Sequence, residues 1–277
     1  KITFGYTLIM QSGLTIESFS PMDESLSEQV LFYYFTKKNN ASEDVQFKSF
    51  PNIYTAISIF KDCAVKINGN DIEITESKGT GYIALTITPD IKPYLISIKG
   101  AFEEVSIVLK PLGENYFKPL TTNGTIFEKK FIEQLFEELN EQKKVQQLDA
   151  YLKSHFSCDT ELNEFSKMLE AFSVSDENVS LTDFAKAYFI HPKTLHRKFM
   201  KYLQITPHHY RQIVQFRKAL TNLLSNDTQI GEVAYLHHYF DQSHFNKTFK
   251  NLTNLSPKRA PRDIQKLANG RLCFQFL

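Results

Sequence analysis

The chain has 277 residues, long enough for two domains, and its 42% hydrophobic and 23% charged residues are the proportions of an ordinary soluble globular protein. No apolar run approaches the ~18 residues needed to span a bilayer, and Lys1–Met10 lacks the apolar core of a secretory signal. We therefore expect a cytoplasmic protein with no membrane partner. Cys63, Cys158 and Cys273 are far apart and form no CxxC pair, which indicates neither a disulfide framework nor a zinc ribbon.

The net charge of +1 conceals two oppositely charged halves. From Val174 onward the chain carries fifteen lysines and arginines against seven aspartates and glutamates, a net charge of +8, so the residues before Val174 carry −7. A basic half favours a polyanionic partner, and nucleic acid is the commonest polyanion that proteins bind.

Residues 1–120 have the pattern of β-strands. Short β-branched or aromatic runs recur between turn residues, and the Asn-Gly-Asn-Asp run at residues 68–71 indicates a hairpin. Several short strands at this spacing predict a barrel or a sandwich, although Ser25–Phe35 could instead form a helix in a mixed α+β fold. The predicted strands are Ile53–Phe60, Ile72–Ile74, Tyr82–Ile87, Tyr94–Ile98 and Val105–Leu109.

From Phe127 the hydrophobic period becomes helical. We interpret residues 1–125 as a β-rich domain and residues 126–173 as a helical linker. The first stripe, from Phe131 to Leu139, is shorter than two heptads, so it could pair with its copy in a homodimer or pack on its own domain. The apolar stripes are Phe131, Ile132, Leu135, Phe136 and Leu139; Val145, Leu148 and Leu152; and Leu162, Phe165, Met168, Leu169 and Phe172.

The basic half, residues 174–277, resembles itself at a shift of about fifty residues. Leu195-x3-Phe199 corresponds to Phe245-x3-Phe249. Ala185 corresponds to Ala234 one residue out of step, and such a small side chain lets two helices cross closely. Each copy predicts a short helix, a tight turn, a second helix and a Thr/Ser-Pro helix start. We therefore predict an all-α domain with two helix-turn-helix units.

Local signals place the helix starts of this domain. Ser180 with Asp183 has the pattern of a capping box. Pro192 suits the first turn of the next helix, where its missing N–H is not needed. Asp241 can cap the corresponding helix of the second copy.

Longer motifs run through both copies. In the second copy they are Ile230-x2-Val233-Ala234, Asp241-Gln242-Ser243-His244-Phe245-x3-Phe249-Lys250 and Leu255-Ser256-Pro257. In the first copy they are Leu181-x2-Phe184-Ala185, Pro192-x2-Leu195-x-Arg197-x-Phe199 and Ile205-Thr206-Pro207-x2-Tyr210. With these motifs, residues 179–262 resemble the DNA-binding domain of the AraC/XylS family of transcription regulators. The resemblance implies sequence-specific binding of double-stranded DNA through two helix-turn-helix units.

A few positions depart from the family pattern. A glycine at positive φ usually ends the first helix of each unit, but Phe189 and His238 stand there, and histidine tolerates that conformation better than phenylalanine. His191 replaces the usual serine cap of the first recognition helix, and Ala260-Pro261 replaces a common aromatic-arginine pair. These departures bear on DNA affinity more than on fold. They leave open an alternative, a co-regulator that keeps the fold but binds protein instead of DNA.

The resemblance implies that the second helix of each unit enters a major groove, which is wide enough to admit it. Arg197 and Lys247 suit guanine O6 and N7, and Gln242 and Asn246 suit adenine. The alternative for all these residues is a solvated helix face. The expected base-reading residues are Lys193, Thr194, His196, Arg197, Gln242, Ser243, Asn246 and Lys247. The expected phosphate contacts, which position without specifying sequence, are Lys201, Arg211, Lys218, Lys250 and Lys258.

A long helix is predicted between the two units, from Pro207 to about Leu224. At ~1.5 Å per residue it forms a rigid spacer of ~27 Å. This length is compatible with two major-groove segments about one turn, ~34 Å, apart on one face of DNA. One chain could then cover two half-sites.

For residues 1–125 the resemblance implies a cupin-like regulatory domain, which makes the protein α+β overall. It also implies a small-molecule effector, RNA polymerase and a second copy of the chain as partners, although no residue identifies an effector site. Residues 1–154 contain no histidine, and metal-binding cupins use histidine ligands, so we expect neither a metal nor a cofactor.

The aromatic residues of the β-rich half are expected to fill its core rather than to line an apolar pocket. No nucleophile–base pair, phosphate loop or paired-carboxylate motif stands out, so we expect that the chain is not an enzyme. An enzyme in the acidic half, fused to a DNA-binding half, is the remaining alternative. The aromatic residues in question are Phe32, Tyr33, Tyr34, Phe35, Phe47, Phe50, Tyr54 and Phe60.

Overall fold

The computed structural model describes residues 6–9, 13–39, 43–117, 127–157, 159–175, 179–225, 229–268 and 270–277. The predicted boundary between residues 125 and 126 lies outside these ranges, as does Cys158. Within them, no helix is long and apolar enough to cross a membrane.

Strands come first along the chain and helices follow. The strands of the first half are β1 (Tyr6–Ile9), β2 (Leu14–Phe19), β3 (Val30–Lys38), β4 (Val45–Ser49), β5 (Thr55–Lys61), β6 (Cys63–Asn68), β7 (Asp71–Glu76), β8 (Tyr82–Ile87), β9 (Tyr94–Lys99) and β10 (Phe102–Leu109). The second half contains α1 (Lys129–Glu137), α2 (Glu141–Ser154), α3 (Thr160–Val174), α4 (Leu181–Ala187), α5 (Pro192–Leu203), α6 (Pro207–Ser225), α7 (Ile230–Leu236), α8 (Gln242–Thr253), α9 (Ala260–Asp263), β11 (Gln265–Leu267) and β12 (Leu272–Phe276). The predicted α+β class, with a β-rich first half and a helical second half, is confirmed. The domain predicted as all-α differs at its end, where β11 and β12 form an antiparallel hairpin.

Contacts along the chain divide it into two compact units. Unit 1 contains residues 1–45, 54–88 and 97–163, and unit 2 contains residues 46–53, 89–96 and 164–277. Two short segments of the β-rich half therefore belong to the same unit as the basic half. The functional division into a sensor, a linker and a DNA-binding domain stays a prediction.

Unit 1 is built on an antiparallel sheet with the strand order β1-β2-β3-β10-β5-β8. The predicted hairpin at residues 68–71 joins β6 to β7, and Gly69 occupies its turn at φ 60°. The alternative of a helix over Ser25–Phe35 is wrong, because β3 begins at Val30 and pairs with β2 on one side and β10 on the other. A strand buried on both faces lacks polar alternation, so its sequence resembles a buried helix.

One face of this sheet packs against α1 and α2. Alternate residues of β3 and β10 point into this core, and Leu135 of α1 and Leu148 of α2 meet them there with no exposed surface. Ile132, Leu135 and Phe136 of the stripe from Phe131 to Leu139 thus pack on their own domain, and a homodimer stays a prediction. Leu139 alone lies outside the packing, with 89% of its surface exposed.

A buried carboxylate on α2 connects this helix to the rest of unit 1. Asp149 accepts hydrogen bonds from the backbone N–H groups of Met22 and Asp23 at 2.7 and 2.8 Å and from the Tyr33 hydroxyl at 2.6 Å. A buried carboxylate is stable only when its oxygens are hydrogen-bonded in this way. Lys153, also on α2, donates to Asp23 at 2.7 Å and holds the pKa of that carboxyl at about 2.

Unit 2 has two aromatic cores. In the first, Phe172 of α3 lies 4.8 Å from Phe184 and 5.2 Å from Phe199 between ring centroids. The second core contains Phe245 and Phe249, and it also contains Phe50, which follows β4 in the β-rich half. Phe50 is therefore a core residue, although in a different unit from most of the aromatic residues near it in sequence.

The C-terminal hairpin holds the Phe50 segment in place. β12 pairs antiparallel with β4, and the Phe50 N–H donates to the Cys273 carbonyl at 3.2 Å. Arg217 of α6 donates to the carbonyls of Gly270 and Arg271 at 2.7 and 2.8 Å. These bonds connect β4, the hairpin and α6 into one structure around the second aromatic core.

Candidate nucleic-acid interface

The first helix-turn-helix unit consists of α4 and α5. The Ser180 hydroxyl accepts a hydrogen bond from the Asp183 N–H at 3.0 Å and donates to the Asp183 carboxylate at 2.7 Å, so the predicted cap is present. Ala185 is fully buried where the two helices cross, as its small size predicted.

The turn after α4 is closed by a residue in the left-handed conformation. Phe189 has φ 53°, and its N–H donates to the Lys186 carbonyl at 3.0 Å. The Ile190 N–H donates to the Ala185 carbonyl, also at 3.0 Å. These two bonds form a Schellman motif, which usually requires glycine at the left-handed position. The Phe189 side chain is 98% exposed, so its ring takes no part in the core of the unit.

The second unit, α7 and α8, repeats this turn. His238 has φ 54°, its N–H donates to the Tyr235 carbonyl at 3.1 Å, and the Tyr239 N–H donates to the Ala234 carbonyl at 3.0 Å. The same hydrogen bonds therefore close both turns without glycine. The motif fixes the angle at which the second helix leaves the first.

The two turns differ in length by one residue, and the structure locates the difference. Ile190 and Tyr239 are the equivalent residues that complete the two Schellman motifs. The N-cap of α5, His191, directly follows Ile190, whereas one residue separates Tyr239 from the N-cap of α8, Asp241. Phe240 is the additional residue, and its side chain is 91% exposed.

In the first recognition helix, α5, the predicted inward and outward faces are present. Leu195 and Phe199 are buried, and the His191 ring nitrogen Nδ1 caps the helix by accepting from the Lys193 N–H at 3.1 Å. Histidine thus replaces the usual serine as cap. Of the predicted base-reading residues, Lys193, His196 and Arg197 are exposed and Thr194 is half-buried.

In the second recognition helix, α8, Asp241 accepts from the His244 N–H at 2.7 Å, and Phe245 and Phe249 are fully buried. A Cβ atom on Gly231 of α7 would lie 3.3 Å from Oε1 of Gln242, so the glycine leaves room for that side chain. Of the predicted base-reading residues, Gln242, Ser243 and Lys247 are exposed and Asn246 is half-buried.

His244 was not predicted as a base-reading residue. It is exposed in the first turn of α8 beside Ser243. The outward positions of α8 were predicted only from their spacing relative to Phe245 and Phe249, which are buried. The capping pattern was the signal that could have found it, because the third residue after the cap Asp241 lies in the exposed first turn.

The predicted phosphate contacts fall into two groups. Lys250 and Lys258 are exposed on α8 and just after it. The Arg211 guanidinium lies 4.6 Å from the centre of the Phe172 ring and donates to the Val179 carbonyl at 2.6 Å, so it already has protein partners and its phosphate contact stays a prediction. Lys218 donates to the Ser173 carbonyl at 3.1 Å, and Lys201 to the Tyr202 hydroxyl at 2.7 Å, so both ammonium groups already have protein partners.

Arg211 and Lys218 share a small cleft with the end of α3. Ser173 and Ser175 line it, and the carbonyls at a helix C-terminus carry partial negative charge. The two cations complement that charge. Sequence alone could not distinguish a contact with the end of α3 from a contact with phosphate, because both require an exposed or half-exposed basic side chain on α6.

The connecting helix α6 has 19 residues, one more than predicted, and is about 28 Å long at ~1.5 Å per residue. Ile213 and Phe216 on α6 are fully buried, and Gln215 donates to the His237 carbonyl at 2.8 Å. These contacts make α6 a fixed spacer between the two recognition helices.

Unit 1 contains a buried row of hydrogen-bonded polar side chains, on the sheet face opposite α1 and α2. The Tyr34 hydroxyl donates to Glu104 at 3.1 Å, the Ser106 hydroxyl donates to Glu104 at 2.7 Å, and Ser58 and Ser106 share a hydrogen bond of 2.6 Å. Burial raises the pKa of the Glu104 carboxyl above its usual range. Sequence reasoning did not find this row, because its members are isolated polar residues in different strands.

Comparison with known proteins finds similarity in the region of the two helix-turn-helix units. Residues 184–262 match the family described as "Helix-turn-helix domain". The transcriptional activator RhaS of Salmonella paratyphi B is 28% identical over 127 residues, which are 46% of this chain and 37% of RhaS. The chain thus matches little more than a third of the length of this curated relative.

Solved structures of similar proteins overlap less closely. The C-terminal domain of the response regulator yesN from Fusobacterium nucleatum is 20% identical, with a TM-score of 0.34, over 36% of this chain and 99% of that one. ToxT from Vibrio cholerae is 12% identical, with a TM-score of 0.42, over 81% of this chain and 97% of that one. The motifs, the two equivalent turns and the family match lead to one conclusion: residues 184–262 form a helix-turn-helix domain of the AraC type.

Proposed function

We propose that this protein is a sequence-specific DNA-binding transcription regulator that reads two successive major-groove segments. The observation that carries the proposal is the repeated Schellman turn at Phe189 and His238, which sets α5 and α8 in equivalent positions. A rigid turn that precisely orients an exposed second helix is what groove reading requires. The proposed role is one of binding and not of catalysis.

The charge of the exposed faces supports this proposal. Arg197 on α5 and Lys247 on α8 are both exposed, and each can reach guanine O6 and N7 from a helix lying in the groove. The region from Val174 onward carries the net charge of +8. Such a surface attracts duplex DNA of any sequence, while the recognition helices discriminate between sequences.

A selection from random duplexes tests the proposal. The full chain should enrich a site with two conserved blocks about one helical turn, ~10.5 base pairs, apart between their centres. A variant with both Arg197→Ala and Lys247→Ala is the matched control, since both side chains are exposed and the fold should be unchanged. Recovery of no conserved sequence by the unmodified chain would contradict the proposal.

Control by a small effector is part of the proposed function, and the row of Tyr34, Ser58, Glu104 and Ser106 supports it. The row places three hydroxyls and a carboxyl together inside unit 1, and a few convergent polar groups are what orients a ligand in a binding site. Effectors can be sought by the shift they cause in thermal unfolding, since a ligand that binds only the folded state raises the melting temperature. Glu104→Gln is the matched control, because it keeps the shape but not the carboxyl. A homodimer and contact with RNA polymerase remain further proposals.

One observation favours the alternative of a protein-binding co-regulator. Tyr235, Leu236 and Phe240 are 86, 56 and 91% exposed around the second turn. Exposed apolar groups of this size often mark a docking surface. The selection separates the two functions, because a co-regulator of this kind would enrich no DNA sequence.

A further inference from the structure

Phe240 occupies a special place in the repeat. It is the residue by which the second turn exceeds the first, and it directly precedes Asp241, the N-cap of α8. Its ring is 91% exposed, so it contributes little to the packing of the domain. Neither the turn nor the cap uses its side chain, since the bonds that form them come from His238, Tyr239 and Asp241.

The position of Phe240 determines what its ring can meet. The N-terminal residues of a recognition helix contact base edges, and Phe240 stands one residue before the N-cap of α8. Gln242 and Ser243, in the first turn of α8, are exposed beside it. The ring therefore continues the surface that faces DNA in the proposed function.

The chemistry of the ring limits which groups of DNA it can contact. A phenylalanine cannot hydrogen-bond to a base edge or pair with a phosphate. In the major groove the one apolar group on a base edge is the C5 methyl of thymine, and phenylalanine is among the side chains that contact it. Burying the ring against that methyl removes apolar surface of both from water.

We propose that Phe240 is a specificity-determining residue that recognises a thymine methyl at the edge of the segment read by α8. This inference rests on the proposed function. It adds an apolar contact to the polar readers, and it assigns a role to the one-residue difference between the two units.

The test uses the full chain and the duplex enriched by the selection described above. Thymines in the block read by α8 are replaced one at a time by uracil, which removes only the methyl. For the unmodified protein, one replacement should weaken binding by about three- to fourfold, the effect of one buried methyl group. Phe240→Ala should bind the original duplex about tenfold more weakly and should not distinguish it from that uracil duplex. Phe240→Leu should keep most of the discrimination, because leucine retains an apolar contact.

Tyr235→Ala is the control variant, because it also removes an exposed aromatic ring but lies on α7 away from the cap. It should respond to uracil as the unmodified protein does. The inference is overturned if Phe240→Ala binds every duplex like the unmodified protein, which would assign the ring to a protein partner. It is also overturned if the α8 block contains no thymine or if no uracil replacement distinguishes the two proteins. A failed selection would instead remove the proposed function itself.

Discussion

Phe189 and His238 are related by the internal repeat, and they share one backbone conformation, with φ of 53° and 54°. In each case the residue is the left-handed member of a Schellman motif, and in each case its side chain is exposed. Glycine is the residue that adopts this conformation without strain. The fold therefore keeps both turns even where the sequence provides the less suitable residue.

The first prediction follows from this strain. Phe189→Gly should keep or raise the free energy of unfolding, because it relieves about 1–2 kcal/mol of backbone strain and removes no buried surface. Thermal or denaturant unfolding of the full chain measures the change. Phe189→Ala is the control, since alanine removes the ring but keeps the strained Cβ. A gain of equal size in both variants would show that exposure of the ring, and not the backbone, is unfavourable.

The second prediction concerns the segment that the β-rich half contributes to unit 2. Phe50→Ala should destabilise the second helix-turn-helix unit by about 3–5 kcal/mol, because it leaves a cavity among Phe216, Phe245 and Phe249. Hydrogen exchange should show loss of protection in α8 before α5. Phe47→Ala, at a half-buried position on β4, is the milder control. Equal protection of α8 in the Phe50 variant and the unmodified chain would contradict this prediction.

A consequence for fragments follows from the same contact. A fragment of residues 174–277 lacks both Phe50 and the α3 residues of the first core. Its charge still predicts salt-dependent binding to DNA, but its two units should be less stable than in the full chain. DNA-binding measurements are therefore better made on the full chain.

The third prediction separates base readers from phosphate contacts. Arg197→Ala and Lys247→Ala should each relax sequence preference at one or two base pairs, at about 1–3 kcal/mol on the best site. Lys250→Ala should weaken all sequences alike and reduce the salt slope of log K by about 0.9. Binding titrations at several salt concentrations distinguish the two classes. If Arg197→Ala weakened every sequence equally, Arg197 would be reassigned to the phosphate backbone.

Arg211→Ala gives a contrasting outcome. Because this guanidinium lies on Phe172 and donates to Val179, its loss should lower the melting temperature and should not change the salt slope. A reduced salt slope without loss of stability would return Arg211 to the phosphate contacts.

The fourth prediction concerns pH. Burial lowers the pKa of His237 below its ordinary 6.5, and the nearby positive charges of Lys218 and His238 act in the same direction. The neutral ring is therefore the form that the fold favours. Its contribution to stability is complete above pH 6.5 and is lost as the pH falls towards the lowered pKa.

Thermal unfolding between about pH 7.5 and 5.5 measures this effect. His237→Gln should flatten the acid side of the profile, because glutamine does not titrate. His238→Asn is the control, since His238 is exposed and asparagine tolerates its positive φ. The prediction is contradicted if His238→Asn removes the pH dependence and His237→Gln does not.

Much of unit 2 could be predicted from sequence, because its signals are local. The caps at Ser180 and Asp241 and the small Ala185 and Ala234 act within a few residues of themselves. The positive φ of Phe189 was predicted from the family pattern, but the exposure of its ring was not. That exposure depends on which residues pack around the turn, which only the three-dimensional structure decides.

Contacts distant in sequence were not predictable in this way. Phe50 is one aromatic residue among many in the β-rich half, and no period assigns it to a core formed by α6 and α8. Arg211 was predicted as a phosphate contact from its charge, and charge gives no information on the Phe172 ring and the Val179 carbonyl that its guanidinium contacts. The buried row of Tyr34, Ser106 and Ser58 depends on strand register, which connects residues far apart in the chain.

The pairing of β12 with β4 also orders the events of folding. Phe276 lies opposite Phe47 across most of the length of the chain, and contacts of such high sequence separation form late. During synthesis the first recognition helix can pack as soon as α6 has been made, since its core residues lie between α3 and α6. The second core is complete only when β12, which supplies Cys273 and pairs with β4 beside Phe50, has left the ribosome. A nascent chain should therefore be able to hold one half-site before it can hold both.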